Sequence, residues 1–407
     1  MFDLVIRNGR IIDGTGNPWF AADVAVAGGR IQRIAPGIEP EGCPIIDASG
    51  LVVAPGFIDM HTHSDLRVFK HPEEETKLLQ GITTALLGQD GLSVAPCNED
   101  TKGPMAQRVA GLLGTYLTHW PWDSMSSYLN ALEALPLGAN SMMLVPHGAV
   151  RALAVGWDNR PATEEELAKM KDLLAQSLEE GACGLSTGLF YPPCSYAERG
   201  ELVELCRVTR SYGGFLVVHV RDEGDNLMES LQEVIGICLE ADCPLHISHL
   251  KVSGKKNWGR AAEALMLLEE AREQGLELTF DQYPYIAGST MLDAVLPPRF
   301  LAGGTAAMLE NLKRPEVRQE LTRILQGETQ ERFENLVKAC GWDGIVVSSV
   351  ASEANLSAEG KNIASLAAEL GKTPVDVVCD LLIAENNAVT QTMFYGSEDD
   401  VKKIMQS

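Results

Sequence analysis

From Gly56 onward the chain alternates short apolar runs with amphipathic stretches, and this alternation restricts the fold more than any other feature. The strand-like runs are Phe57–Met60, Ile82–Leu87, Met142–Val145, Cys183–Leu189, Phe215–Arg221, Leu245–Lys251 and Leu276–Tyr283. Helical stretches separate the later ones. Thr163-Glu164-Glu165-Glu166 is a capping box that opens a helix ending near Gly181, and further helices run to about Glu240 and from about Arg260 to Glu273. Strands alternating with helices argue for a parallel sheet. A (β/α)8 barrel of about 250 residues accommodates seven of them best, with Ile345–Val350 as the candidate eighth. No G-x-G-x-x-G or Walker segment sits at a strand-to-helix turn, which argues against a nucleotide-binding fold.

Two regions depart from this texture. Residues 1 to about 55 hold only short strands, with Gly28-Gly29 linking two of them as a hairpin. The expected organisation is a small β domain over 1–55 and a barrel over 56–407, with a helical insertion at about 291–341. Helices are also expected at Ile363–Leu370, from Pro374 to Leu382, and after Ser397.

With 33 basic against 56 acidic residues, the net charge of -23 repels nucleic acid and anionic membrane. No apolar run reaches the length of a membrane span. Met1-Phe2-Asp3-Leu4 lacks the basic and apolar regions of a signal peptide. Nine singly scattered cysteines fit reduced thiols, so a cytoplasmic location is expected.

The chemistry gathers at strand ends. His61 and His63 follow an apolar strand, and residues two apart point the same way, so two imidazoles stand side by side. After the second strand, Gln89-Asp90-Gly91-Leu92-Ser93-Val94-Ala95-Pro96-Cys97 returns a cysteine toward the rim. His219 ends the fifth strand and His249 the sixth. Active sites of such barrels lie at the carboxyl ends of the strands. His61, His63, Cys97, His219 and His249 therefore form a donor set suited to Zn2+. His246 competes with His249; His249 lies nearer the carboxyl end, which leaves His246 facing the helices. His71, His119 and His147 read as structural or exposed, and the other eight cysteines as ordinary thiols.

These residues resemble the amidohydrolase superfamily and, within it, the N-acyl-D-amino-acid deacylases (D-aminoacylases). The superfamily mark is Pro55-Gly56-Phe57-Ile58-Asp59-Met60-His61-Thr62-His63. More specific are Cys97, Gly184-Leu185-Ser186-Thr187-Gly188-Leu189-Phe190-Tyr191-Pro192-Pro193, His219-Val220-Arg221-Asp222-Glu223-Gly224, Ile247-Ser248-His249-Leu250-Lys251, and Tyr283-Pro284-Tyr285 with Gly288-Ser289-Thr290. Dihydroorotase-like and hydantoinase-like relatives carry a metal-bridging lysine on the fourth strand, and Cys183–Leu189 has none.

The resemblance implies a TIM-like metal-hydrolase barrel with a small β-sandwich-like domain. It implies a tight zinc on Cys97, His219 and His249 and a weaker one on His61, His63 and Cys97. It implies Lys251, Tyr283 and Ser289 at the substrate carboxylate and Phe190 near the side-chain pocket. The family's catalytic aspartate and closing strand would fall beyond Ser407, and Ile345–Val350 would precede that strand. The expected function is zinc-dependent hydrolysis of small N-acyl-D-amino acids. The alternatives are a cyclic-amide amidohydrolase and a metal-binding, non-catalytic homologue.

Overall fold

The first five strands are β1 (Leu4–Ile11), β2 (Phe20–Ala27), β3 (Arg30–Ala35), β4 (Ile45–Asp47) and β5 (Val52–Val53). Gly28 and Gly29 take φ of 59° and 70°, the left-handed conformation that a two-residue hairpin link requires. Antiparallel β2 and β3 result, and β2 pairs antiparallel with β1. β4 and β5 add to β1 in parallel. Val5, Ala25 and Ile38 form one small buried cluster; Ile11, Ala22 and Val24 form another.

The computed structural model describes residues 1–115, 119–329 and 331–407. They divide into a small unit, Met1–Ile58 with Lys77–Thr84, and a large one, Asp59–Thr76 with Ala85–Ser407. β6 (Phe57–Asp59) and β7 (Ile82–Leu87) each begin in the small unit and end in the large one.

The large unit continues with β8 (Asn140–Met143), β9 (Val145–Pro146), β10 (Leu185–Gly188), β11 (Leu216–His219), β12 (Leu245–Ile247) and β13 (Leu278–Phe280). β9 to β13 form one sheet in sequential order, every adjacent pair parallel. β8 and β9 are one strand position broken at Leu144, whose N–H bonds the Leu87 carbonyl at 3.0 Å. Leu86, Leu144 and Val217 make a small inner cluster. The helices Glu164–Glu179, Arg199–Ser211, Leu227–Ala241 and Ala261–Glu273 connect these strands and pack consecutively on one another. Thr163 and Glu166 form the expected capping box. Strand, helix and parallel register together make the expected barrel architecture.

One strand departs from expectation. β15 (Ile345–Val350) does not join the parallel series. It pairs antiparallel with β16 (Val389–Phe394), which also pairs antiparallel with β14 (Ala287–Met291). The apolar run marked a strand correctly but said nothing about its partner. Among the described residues β13 is thus the edge of its sheet.

Candidate metal centre

β7 ends in the turn Gly88–Gly91, where Gly88, Asp90 and Gly91 take φ of 79°, 56° and 69°. The turn is fixed from several sides. Gly88 N–H donates to Asp65 Oδ1 (3.0 Å), Gln89 Nε2 to the Met60 carbonyl (2.8 Å), and Gly91 N–H to Ser186 Oγ (3.1 Å). Gly188 leaves room for it: a Cβ there would sit 2.5 Å from the Asp90 carbonyl oxygen. The small residues of β10 thus exist to seat this turn, which presents the buried Asp90 carboxylate in one orientation.

Four histidines converge on that carboxylate. His61 Nε2 and His63 Nε2 lie 3.4 and 3.3 Å from Asp90 Oδ2 and 3.3 Å from each other. His249 Nε2 lies 3.8 Å from Asp90 Oδ1 and 3.0 Å from His219 Nδ1. Among the described residues two three-donor groups follow: His61, His63 and Asp90; and Asp90, His219 and His249. Burial alone would raise the Asp90 pKa, but the neighbouring imidazoles of His61, His249 and His63 hold it well below the usual carboxylate range. Asp90 Oδ1 has no hydrogen-bond partner, nor do His61 Nδ1, His63 Nδ1 or His219 Nε2. Imidazole nitrogens facing one another at 3.0–3.3 Å around a carboxylate suit a divalent cation that shares their lone pairs.

Behind His249 stands a charged pair. His249 Nδ1 lies 3.0 Å from Glu223 Oε1, and Lys251 Nζ donates to that same oxygen. Burial and Lys251 push the His249 pKa down, yet Glu223 and Asp90 carry it up to about 9. Burial brings His219 down to about 3 against the pull of Glu223. His249 itself has φ of 37°, with its N–H donated to Asp281 Oδ1 at 2.7 Å. A left-handed histidine is held there only because its surroundings over-determine it.

The cluster opens onto a cavity of about 320 Å³ that is also lined by Phe190, Lys251, Tyr283 and Ser289. Tyr283 Oη and Tyr395 Oη are 2.8 Å apart, and Ser289 Oγ donates to the Gln391 carbonyl at 3.0 Å. The Phe190 ring stacks on His219 with centroids 5.5 Å apart. His61, His63, His219, His249, Lys251, Tyr283, Ser289 and Phe190 are therefore brought to one cavity.

Cys97 is not. Its Sγ accepts from Trp120 Nε1 at 3.3 Å inside an apolar cluster, and it belongs to neither three-donor group. Asp90 stands where a cysteine was expected. The tight turn at Gly88–Gly91 delivers the ligand immediately after β7, before the chain reaches Cys97. His246 does not turn to the helices either: its ring bonds Thr279 Oγ1 (2.7 Å) on β13 and Asp281 Oδ2 (2.9 Å) just past it. His147 is buried between Thr187 and Glu201. Glu223, part of the His219–Gly224 motif, and Asp281, just past β13, support His249 in a way the motifs alone do not indicate.

Residues 44–397 match the amidohydrolase family. A D-aminoacylase of Alcaligenes xylosoxydans xylosoxydans is 40% identical over 75% of this chain and 61% of its own length. An N-acyl-D-aspartate deacylase of that organism is 38% identical over 71% of the chain and 57% of its own length. The chain thus spans less than two thirds of these curated relatives. The crystal structure of a D-aminoacylase superposes with a TM-score of 0.79 at 33% identity, covering 100% of this chain and 74% of that one. The structure of an N-acyl-D-glutamate deacylase from Bordetella bronchiseptica gives 0.79 at 30% identity, with coverage of 100% and 74%. The chain belongs to the amidohydrolase family, among its D-aminoacylases.

Proposed function

We propose that the chain carries the zinc-dependent centre of an N-acyl-D-amino-acid deacylase, which splits the amide to a D-amino acid and a carboxylate. The observation that carries this is the pair of histidine groups sharing Asp90 at a cavity that also holds Lys251, Tyr283 and Ser289. The similar N-acyl-D-glutamate deacylase was crystallised with zinc and a phosphonate that mimics the tetrahedral intermediate. Another similar structure concerns the binuclear metal centre of a D-aminoacylase.

His61, His63, Asp90, His219 and His249 would hold the metal. A divalent ion bound there lowers the pKa of a water to about 7 and stabilises negative charge developing on an amide oxygen. The chain's own residues position the substrate. Burial would discharge Lys251, but Glu223 keeps its pKa raised, so the cavity holds a cation for the substrate carboxylate. The Tyr283 and Ser289 hydroxyls line the same cavity, and each would turn its proton from its present partner, Tyr395 Oη or the Gln391 carbonyl, to the substrate carboxylate; Phe190 offers an apolar face to the side chain. Three contacts to one carboxylate fix which face of the α-carbon meets the metal, which is the basis for D selectivity. Asp281 and Glu223 are already engaged, by His246 and the His249 N–H and by Lys251 and His249, so neither is assigned the proton transfer. Nine free cysteines support a cytoplasmic setting. Among the described residues no helix is long and apolar enough to cross a membrane.

The test is turnover by the zinc-loaded full-length protein on paired N-acetyl-D- and N-acetyl-L-amino acids. Hydrolysis of the D form alone is expected. Equal rates on both forms, or opening of dihydroorotate or a hydantoin with neither acyl amino acid cleaved, would overturn the reading.

A further inference from the structure

Asp90 sits where the two histidine pairs meet, and the inference drawn from it rests on the proposed function. Among the described residues it alone belongs to both three-donor groups, and its two oxygens face different histidines. Oδ2 lies 3.3–3.4 Å from the His63 and His61 Nε2 atoms; Oδ1 lies 3.8 Å from His249 Nε2. Oδ1 is buried without any hydrogen-bond partner, although the Gly88 and Gly91 N–H groups on either side of it in the turn are both engaged. A buried, unpartnered carboxylate oxygen is costly unless a cation completes it. The donor set is also free of sulfur. Among the described residues no cysteine joins either group, and Cys97 Sγ is occupied by Trp120. Thiolate selects zinc and cuprous copper, whereas imidazole and carboxylate also serve harder ions such as Mn2+ and Co2+.

We infer that Asp90 bridges two divalent ions, one oxygen to each, in an all-nitrogen-and-oxygen centre that accepts Mn2+ and Co2+ as well as zinc.

The experiment strips the purified protein of metal and titrates it with Co2+, following absorption spectrum and bound metal without any substrate. Two Co2+ per chain are expected, with ligand-field bands and no near-ultraviolet thiolate-to-cobalt charge-transfer band. Cys97→Ala should leave both the spectrum and the stoichiometry unchanged. Asp90→Asn, checked for folding by circular dichroism, should bind at most one ion. Asp90→Cys should gain the charge-transfer band and shift the zinc-over-Mn2+ affinity ratio upward by at least about tenfold. A thiolate band in the wild type that Cys97→Ala abolishes, or two ions retained in folded Asp90→Asn, would overturn the inference. Because no substrate is involved, loss of the proposed deacylation would leave these metal results standing. Deacylation by a protein that failed the metal tests would sink the bridge alone.

Discussion

The two histidine pairs approach one carboxylate but are held differently. His219 and His249 have side chains 8% and 10% exposed, and Glu223 steadies the far nitrogen of His249, itself neutralised by Lys251. His61 and His63 are 16% and 19% exposed, and the far nitrogens of both lack a hydrogen-bond partner, as does His219 Nε2, so the supporting carboxylate at His249 is what sets the buried pair apart. A carboxylate behind a metal-bound imidazole fixes its tautomer and strengthens it as a ligand. The buried pair should therefore bind the tighter ion and the outer pair the looser one.

The sharpest way to break this contrast is to remove one ligand from each pair. His249→Ala should weaken the tighter ion by more than about 100-fold, the upper end of what an outer-shell partner costs. His61→Ala should leave that ion bound. Competitive chelator titration reads both, and equal losses would end the asymmetry.

Proton competition should separate the pairs next. In the metal-free protein His249 keeps its proton up to about 9, so an entering ion must displace it. Apparent affinity at the buried pair should climb about tenfold per pH unit from 7 and flatten near 9. His61 is lowered from 6.5 by burial, so affinity at the outer pair should already be flat at pH 7. The stability sign runs the other way. A histidine pKa raised above 6.5 stabilises the metal-free fold below that pH, and the gain is lost as pH rises through about 9. Calorimetric titrations at a series of pH values test the affinity profile; a common plateau for both ions would remove the distinction.

Glu223→Gln isolates the supporting carboxylate and should weaken the tight ion by about 10–100-fold while sparing the loose one. The smallest effect belongs to His246→Ala. That ring only steadies Asp281, which in turn holds the His249 N–H, so a loss of less than about tenfold is expected. Metal content after dialysis at limiting free ion measures both variants.

Much of this was legible before any coordinates. Periodicity marks the strands and the helix after Thr163, and strand-end logic selects the four histidines that the structure brings to one cavity. Those signals are local: side-chain alternation and capping depend on neighbours in sequence. Pairing is not local. Ile345–Val350 was recognisable as a strand, but its partner Val389–Phe394 lies some forty residues on and carries no local mark of the pairing. The ligand at the second strand failed for a related reason. Cys97 is the better zinc ligand in isolation, and nothing in the residue types says how sharply the chain turns at Gly88–Gly91. A glycine on either side of Gln89-Asp90, directly after a strand, was the one available clue.

The backbone at Asp90 also bears on how such a centre can change over evolutionary time. At φ of 56° most side chains with a Cβ are disfavoured by roughly 1–2 kcal/mol, while Asp, Asn and Gly are tolerated. The two inexpensive replacements, Asn and Gly, would discard the negative charge. A substitution that keeps an anionic ligand, such as Cys or Glu, must first meet the conformational cost. Single-step drift at this position thus leads to a metal-poor protein or to strain. The bridging carboxylate can be exchanged for a different anion only where stability gained elsewhere in the lineage absorbs that cost beforehand.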